Sequence, residues 1–353
     1  MRSESLRRVG ASLVGLALVA GCAGAKPTAA PTTAPTTAPT SAPTPAPTDT
    51  PAGLRVAIIL PGSVQDQGYN ADGKRAADMI ADELGAETTI TENVQIPNQT
   101  DVYRQYASQG YDLVVGWGGQ FTDGAVTAAG EFAEVNFLVV NSTVTNGSNL
   151  GSVDEPIEQW QFVAGYVLAK LSTSGTVGWV GGLCFPSTSA NQHGTEEGAK
   201  YANPDIDFLF TYTGDFEDAT KAQQAAQAMI DEGADVLTQN LNNGTFGLIE
   251  ASRANGNIPF ITEWVDNHEL AADVIASSVQ KSQARFVTEI AKSVQDGTFA
   301  GEYIQQDLPA DWGPVMSDTD LLPDDLYQEA LDIQDQIVSG AITPAHDETC
   351  AGA

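Results

Sequence analysis

The sequence has 353 residues, with 15 lysine and arginine residues against 46 aspartate and glutamate residues, and a formal net charge of −31 at pH 7. A surface this acidic repels nucleic acid and anionic lipid, which argues against both as partners. Residues 54–353 are long enough for one large two-lobed domain or for two ordinary domains.

Residues 1–21 have the features of a signal peptide. Three arginines precede an apolar stretch over residues 9–20, which is too short to span a bilayer as a stable helix. The run Leu-Val-Ala-Gly-Cys that ends at Cys22 resembles a bacterial lipobox. This resemblance implies cleavage before Cys22, acylation of its thiol and amino groups, and anchoring on the extracytoplasmic face of the cell membrane. An ordinary secretory signal with a chance cysteine is the alternative.

Residues 22–53 are built from short repeats of proline, threonine and alanine. Such a composition cannot bury apolar surface and favours an extended chain near polyproline II. At about 3.1 Å per residue the segment reaches on the order of 90 Å. We predict a stalk that lifts a domain off the membrane; a passive leader without a spacing role is the alternative.

From residue 54 onward, strand-like runs alternate with helix-like segments. Residues 54–60 form a nearly continuous apolar run, as expected of a strand in a parallel sheet, and residues 71–84 carry apolar side chains at helical spacing. Further strands are predicted over residues 87–91, 112–115, 136–140, 176–180, 207–212, 236–238, 258–261 and 274–278. Further helices are predicted over residues 101–108, 123–132, 158–171, 195–201, 220–232, 245–255 and 284–295.

This alternation predicts an α/β fold with two Rossmann-like, doubly wound lobes joined by a hinge. We assign residues 54–152 plus 267–297 to the first lobe and residues 153–266 plus 298–353 to the second lobe. In such sheets ligands bind beyond the carboxyl ends of the strands. The ligand site is therefore expected in the cleft between the lobes.

The loop after the first strand contains candidate ligand contacts. Asp66, Tyr69 and Asn70 lie in a glycine-containing stretch, where an aromatic ring can stack on a planar ligand and an amide can bond to its edge. The alternative is a structural turn in which Asn70 caps the next helix. The loop lacks the dinucleotide fingerprint and the phosphate-loop lysine, so no cofactor is predicted.

Two further loops carry candidate contacts. Trp117, Phe121 and Asp123 follow the strand at residues 112–115 and emerge at the same end of the sheet as Asp66. Asp123 could accept hydrogen bonds from a ribose hydroxyl or a base, or it could be the cap of the next helix. Asn243 lies in an amide-rich stretch that could contact a polar base edge or satisfy loop backbone.

Cys184 and Cys350 are the two cysteines downstream of Cys22. In an oxidising compartment they are candidates for one disulfide that ties the C-terminal tail to the body of the domain. Sequence alone does not fix the distance between them. Two thiols without clustered histidines make a poor metal site, so no metal is predicted.

Taken together, these segments resemble the basic membrane protein family of ABC-transporter substrate-binding lipoproteins, which resemble purine nucleoside receptors. The loop from Gly62 to Asn70 matches the family pattern G-x-x-x-D-x-G-[FY]-N. The stretches Gly-Thr-Val-Gly-Trp-Val-Gly-Gly at residues 175–182 and Glu-Gly-Ala-Lys-Tyr-Ala-Asn-Pro-Asp at residues 197–205 resemble two later motifs. The matches follow the family order over nearly all of residues 54–298.

The resemblance implies a type I periplasmic-binding-protein fold that closes on a purine nucleoside such as guanosine, inosine or adenosine. It implies a monomeric receptor whose partners are the permease and ATPase subunits of an ABC importer. Lys281 matches the family lysine and could reach a sugar hydroxyl. Glu263 stands where members usually have an aspartate, and Trp264 follows it, so both are candidate ligand contacts.

Other functions remain open from the sequence. A sugar or other small-metabolite receptor would have the same fold, and a sensor would present its bound form to a membrane kinase. No nucleophile–base motif of a hydrolase is present, and the first loop lacks the aspartate cluster that a nucleoside hydrolase needs. The chain is therefore predicted not to be an enzyme.

Overall fold

The computed structural model describes residues 53–66, 68–281, 283–305, 307–308 and 313–350. The predicted signal peptide at residues 1–21, the lipidation site Cys22 and the stalk up to residue 52 lie outside the described residues. No helix in the described ranges is both long enough and apolar enough to cross a membrane.

Two parallel sheets organise the domain. The first sheet has the strand order β11-β5-β4-β3-β1-β2. Its strands are β1 (Arg55–Ile59), β2 (Glu87–Thr91), β3 (Leu113–Trp117), β4 (Asn136–Val140), β5 (Leu150–Asp154) and β11 (Tyr303–Gln305). The second sheet has the order β10-β9-β8-β6-β7. Its strands are β6 (Thr176–Gly181), β7 (Asp207–Tyr212), β8 (Val236–Asn240), β9 (Phe260–Trp264) and β10 (Ile275–Gln280).

Helices cover both faces of each sheet. They are α1 (Tyr69–Leu84), α2 (Gln99–Ser108), α3 (Thr122–Glu131), α4 (Ile157–Leu171), α5 (Pro186–Ala202), α6 (Ala219–Asp231), α7 (Thr245–Ala254), α8 (Gln283–Gln295) and α9 (Asp324–Val338). Along β1, Val56 and Ile58 pack in one cluster with α1 and α8, while Ala57 and Ile59 pack in another with α2 and α3. Because successive strand residues face opposite sides, both faces need apolar residues, and the predicted doubly wound α/β fold is confirmed.

The chain exchanges elements between the lobes at positions that differ from the predicted boundaries. β10 pairs with β9 in the second sheet, although residues 267–297 were assigned to the first lobe. β11 pairs with β5 in the first sheet, although residues 298–353 were assigned to the second lobe. Helix α8, which follows β10 in the segment assigned to the first lobe, does pack there, against α1. Backbone pairing decides this placement, because a strand belongs to the sheet that satisfies its hydrogen bonds.

Helices α4 and α5 pack closely through glycines. A methyl group built on Gly165 of α4 would lie 1.9 Å from the carbonyl oxygen of Thr195. One built on Gly198 of α5 would lie 2.0 Å from the carbonyl oxygen of Phe162. The close approach explains why glycine occurs inside two helices, where it costs about 1 kcal/mol relative to alanine.

We expect Gly165→Ala to destabilise the protein by about 1–3 kcal/mol, because the new methyl group forces α4 and α5 apart. Gly130→Ala in α3 is the matched control, since its methyl group would meet nothing within 4 Å. The control should be neutral or stabilising by up to about 1 kcal/mol, because alanine favours helix. Urea unfolding of both variants measures the difference, and equal midpoints would contradict the close packing.

The C-terminal segment after α9 lies against α4 and α5. Cys184 and Cys350 form a disulfide, with their Cα atoms 6.0 Å apart and their positions 166 apart in sequence. Ser189 Oγ donates to the carbonyl oxygen of Thr349 at 2.8 Å, and His346 Nδ1 lies 3.2 Å from Glu158 Oε1. The last described residues are thus fixed to the loop and helix that follow β6.

Candidate functional site

A small cavity lies where the two lobes meet, at the carboxyl ends of the strands. The first lobe contributes Asp66 and Gly68 to its wall. The second lobe contributes Gln239, Leu241, Thr245, Phe246, Glu263, Trp264, Asn267 and Leu270. The cavity has a volume of about 10 Å³, which is room for about one water molecule. The lobes are therefore closed on each other in this structure.

The carboxylate of Glu263 is the centre of a buried polar cluster. It accepts hydrogen bonds from Lys281 Nζ at 2.8 Å, Asn191 Nδ2 at 3.0 Å and Gln161 Nε2 at 3.1 Å. Asn240 Nδ2 adds a longer contact at 3.3 Å. The side chains of Lys281 and Glu263 are both fully buried. Such a pair is stable only when its remaining hydrogen-bonding capacity is satisfied, which the amides from α4, α5 and β8 achieve for the carboxylate.

Trp264 connects the lobes. Its ring centroid lies 4.8 Å from that of Tyr69 in the first lobe, and Lys281 Nζ lies 4.6 Å from the same indole centroid. Its φ angle of 81° lies in the left-handed region, which is a strained conformation for a bulky residue. The hydrogen bond from the Lys281 amide to the Trp264 carbonyl oxygen, at 3.0 Å, helps to hold it there. The tryptophan thus occupies the centre of the closed cleft.

Tyr69 stands on the first-lobe side of this contact, at the start of α1. Its hydroxyl donates to Asn141 Oδ1 at 2.8 Å. Burial, together with the nearby carboxylates of Glu155, Asp154 and Asp72, raises the pKa of this phenol well above its ordinary value. Tyr69 is therefore a neutral donor at physiological pH, with its ring facing the cleft.

Asp66 and Asn70 fix the shape of the first loop. Asp66 accepts hydrogen bonds from the backbone amides of Gly68, Asn70 and Ala71, and also from Asn70 Nδ2 at 2.7 Å. Asn70 Oδ1 in turn accepts from the Gly62 amide at 2.9 Å. These bonds satisfy the free amides at the start of α1, so the two side chains hold the loop and only Asp66 reaches the cavity wall.

Three predicted contacts lie away from the cavity. Trp117 is fully buried in the core of the first lobe, against α1, and Phe121 is fully buried against α2 and α3. Asp123 lies exposed in the first turn of α3. The aromatic rings point inward because each ring buries about 150–250 Å² of apolar surface there, which is more favourable than leaving that surface exposed in a loop.

Asn243 lies at the edge of the cleft and contacts another residue of its own lobe. Its Nδ2 donates to Glu217 Oε2 at 2.7 Å, and the neighbouring Asn242 Nδ2 donates to Glu217 Oε1 at 2.6 Å. Glu217 also approaches the first lobe, since a methyl group built on Gly62 would lie 3.2 Å from its Oε1. Asn243 therefore positions a carboxylate at the entrance of the cleft.

Carboxylates crowd the hinge side of the cleft. Burial raises the pKa of Asp72 to about 6, although the guanidinium of Arg75, 2.5 Å away, opposes the shift. Burial also raises the pKa of Asp154 at the end of β5 to about 6. Among the described residues no group of three or more histidine, cysteine, aspartate or glutamate side chains is arranged to hold a metal ion.

Sequence reasoning missed the amide side chains that α4 and α5 bring to the site. Gln161 and Asn191 lie inside α4 and α5, where nothing in the local pattern distinguishes them from other polar helix residues. Gln239 and Asn240 end β8 and belong to the same amide-rich stretch as Asn243, at the carboxyl end of a buried strand. Glu263, Trp264 and Lys281, which the sequence suggests as separate ligand contacts, lie together in one group.

Comparison with known proteins identifies relatives of the whole domain. The family described as "ABC transporter substrate-binding protein PnrA-like" matches residues 54–347. Basic membrane protein B of Borreliella burgdorferi is 26% identical over 279 residues, which cover 74% of this chain and 77% of that protein. Basic membrane protein A of the same organism is 26% identical over 253 residues, which cover 70% of this chain and 74% of that protein.

Solved structures agree with this assignment. An ABC transporter solute-binding protein from Conexibacter woesei is 27% identical, with a TM-score of 0.66 over 83% of this chain and 99% of that chain. A second solute-binding protein, from Aeropyrum pernix, is 21% identical and has a TM-score of 0.73 over 83% of this chain and 94% of that chain; it supports the fold alone. These neighbours confirm the type I periplasmic-binding-protein fold.

Proposed function

This chain belongs to the PnrA-like family of ABC transporter substrate-binding proteins, and we propose that its ligand is a purine nucleoside bound in the cleft between the lobes. The family consists of extracytoplasmic solute-binding receptors of ABC transporters, so the prediction that the chain is not an enzyme is confirmed. A small-molecule ligand and the permease and ATPase subunits of a transporter are its partners. We further propose that Cys22 carries a lipid anchor and that the residues after it form a stalk.

The observation that carries the nucleoside proposal is the contact between Tyr69 and Trp264. The two rings come from opposite lobes and lie 4.8 Å apart between centroids. Opening of the lobes would separate the rings, and a planar base that entered between them would stack on both. A nucleoside is much larger than the closed cavity, so binding requires the hinge motion that is common in this class of protein.

Polar groups beside the rings suit the rest of a nucleoside. Gln239 and Asn240 are buried at the end of β8 and can pair with the edge of a base. Lys281 Nζ, which contacts both Glu263 and the Trp264 ring, could exchange one of these contacts for a ribose hydroxyl. A buried polar group left without a partner costs about 1–3 kcal/mol, which gives such a site its selectivity.

Calorimetric titration with inosine, guanosine, adenosine, uridine and ribose tests the proposal directly. We expect the purine nucleosides to bind and free ribose to bind at least a hundredfold more weakly, because the sugar lacks the stacking surface. If ribose or another sugar binds while no nucleoside binds below millimolar concentration, the nucleoside proposal is wrong and the sugar-receptor alternative stands.

Trp264→Ala should weaken nucleoside binding by about 1–3 kcal/mol, on the order of 10- to 100-fold, because stacking on one face of the base is lost. Asp123→Asn is the control, since Asp123 lies exposed on α3 away from the cavity. We expect the affinity of the control to match that of the wild type. Equal affinity of the Trp264 variant and the wild type would exclude stacking by this ring.

A further inference from the structure

Two chain segments that connect the lobes lie side by side. The first connects β5 to α4 and contains Glu155, and the second connects β10 to α8 and ends at Gln283. Both side chains are almost completely buried, with exposed fractions of 4% for Glu155 and 2% for Gln283. Gln283 Nε2 lies 3.4 Å from Glu155 Oε1, so the two connections meet through an amide and a carboxyl group.

The arrangement of this pair favours a neutral Glu155. Oε2 of Glu155 and Oε1 of Gln283 are both buried, and neither has a hydrogen-bond partner among the residues that the structure describes. When Glu155 is ionised, both atoms are acceptors, and neither can satisfy the other. A proton on Oε2 provides a donor, and a carboxylic acid and a primary amide that face each other can then share two hydrogen bonds.

Charges around Glu155 favour the neutral acid. Lys281, the first residue after β10, carries a positive charge that favours ionisation of Glu155, but its ammonium group is bound to Glu263. Three carboxylates disfavour a further negative charge on Glu155: Asp154, which directly precedes it, Asp72 of α1 and Glu263 of β9. Burial is the largest cause, and together these effects raise the pKa of Glu155 to about 8.

We propose that Glu155 and Gln283 form a proton-dependent latch between two connections of the hinge, which holds the lobes closed while Glu155 is protonated. Loss of the proton leaves a buried charge and an unpaired amide oxygen, and opening of the lobes lets water reach both. The latch is a property of the hinge and does not depend on which ligand the cleft binds.

The direction of the pH effect follows from the two protonation states. Below pH 4.5, the ordinary value for glutamate, Glu155 is neutral in the open and the closed forms alike. Between pH 4.5 and about 8 the closed form retains a proton that a solvated open form releases. The ratio of closed to open molecules therefore falls by up to about tenfold per pH unit in this window, and it is constant above it.

Fluorine NMR of the detergent-solubilised full chain labelled with 5-fluorotryptophan measures the equilibrium without any ligand. The Trp264 resonance, assigned with Trp264→Phe, reports the closed contact with Tyr69. In the wild type we expect this resonance to move away from its closed position between pH 5 and pH 8.5. In Glu155→Gln the movement above about pH 7 should be lost, because the amide keeps a donor at every pH, and Asp72 and Asp154, whose pKa values are about 6, are already ionised there.

Two further variants make the result decisive. Glu158→Gln removes another buried glutamate, in the first turn of α4, that faces His346 rather than Gln283, and it should keep the wild-type pH response. Gln283→Met removes the amide and should place the Trp264 resonance at its open position even at pH 5. A wild-type resonance that does not move with pH overturns the proposal, and so does an unchanged pH response in Gln283→Met.

Discussion

Lys281→Met is expected to destabilise the protein by about 3–5 kcal/mol, because it leaves the carboxylate of Glu263 buried without its counter-charge. Both side chains are fully buried, and their 2.8 Å contact lies where β9 and β10 meet the cleft. The amides of Asn191, Gln161 and Asn240 would remain, but they cannot replace a full positive charge. Urea unfolding followed by circular dichroism gives the free energy of unfolding for comparison with the wild type.

Two further variants test whether the loss of stability is specific to the buried pair of Lys281 and Glu263 or would follow the removal of any lysine. Lys292→Met removes an exposed lysine of α8 that pairs with Asp296 at 2.7 Å, and it should change stability by less than about 0.5 kcal/mol. The double variant Lys281→Met/Glu263→Gln should lose less than the sum of the two single losses, because the charges interact directly. Simple additivity would show that the two residues do not act as a pair.

Removal of the disulfide between Cys184 and Cys350 is expected to lower the free energy of unfolding by about 2–4 kcal/mol. The bond links residues 166 positions apart, so its loss releases a long loop in the unfolded chain. The double variant Cys184→Ala/Cys350→Ala and reductant-treated wild type should have the same lowered urea midpoint. Reductant should leave the double variant unchanged.

Thiol titration under denaturing conditions identifies the state of the wild-type cysteines before each measurement. If the double variant unfolds at the wild-type midpoint, the disulfide adds nothing to global stability. The other contacts of the C-terminal segment, such as that between His346 and Glu158, would then hold it in place without the bond.

Much of the fold was predictable because buried strands and amphipathic helices leave clear patterns. The strands at residues 87–91, 136–140 and 207–212 have the predicted bounds. β5 was missed because its Leu-Gly-Ser-Val-Asp sequence lacks an apolar run. Its Gly151 is needed where the backbone of Glu302 passes, 2.7 Å from where a methyl group would lie. The exposed three-residue strand β11 has no burial pattern to detect.

Two helices were not fully predicted from the sequence, for different reasons. The first half of α5 carries Thr188, Ser189, Asn191 and Gln192 as buried polar residues, so its buried face does not look apolar in sequence. By contrast, α9 has buried apolar side chains at Leu326, Ala330, Ile333 and Ile337, which is a helical repeat that our predictions overlooked.

The site was less predictable than the fold because the direction of a side chain depends on the whole lobe. Trp117 was placed in the cleft from its position at the end of a strand. Strand periodicity instead predicts that Trp117 points into the core, since Leu113 and Val115 precede it at intervals of two. All three residues pack in the same core cluster. Gln161 and Asn191 reach Glu263 from separate helices, a convergence that requires the tertiary structure.

The glycine contacts between α4 and α5 also determine how motion at the hinge is transmitted. Helix α4 begins at Ile157, two residues after Glu155, and its 15 residues end at Leu171. Locked against α5, it acts as a lever about 22 Å long, so each degree of rotation at its start moves its far end by about 0.4 Å. A distance probe in the turn at Ser172, Thr173 and Ser174 would therefore detect hinge rotation.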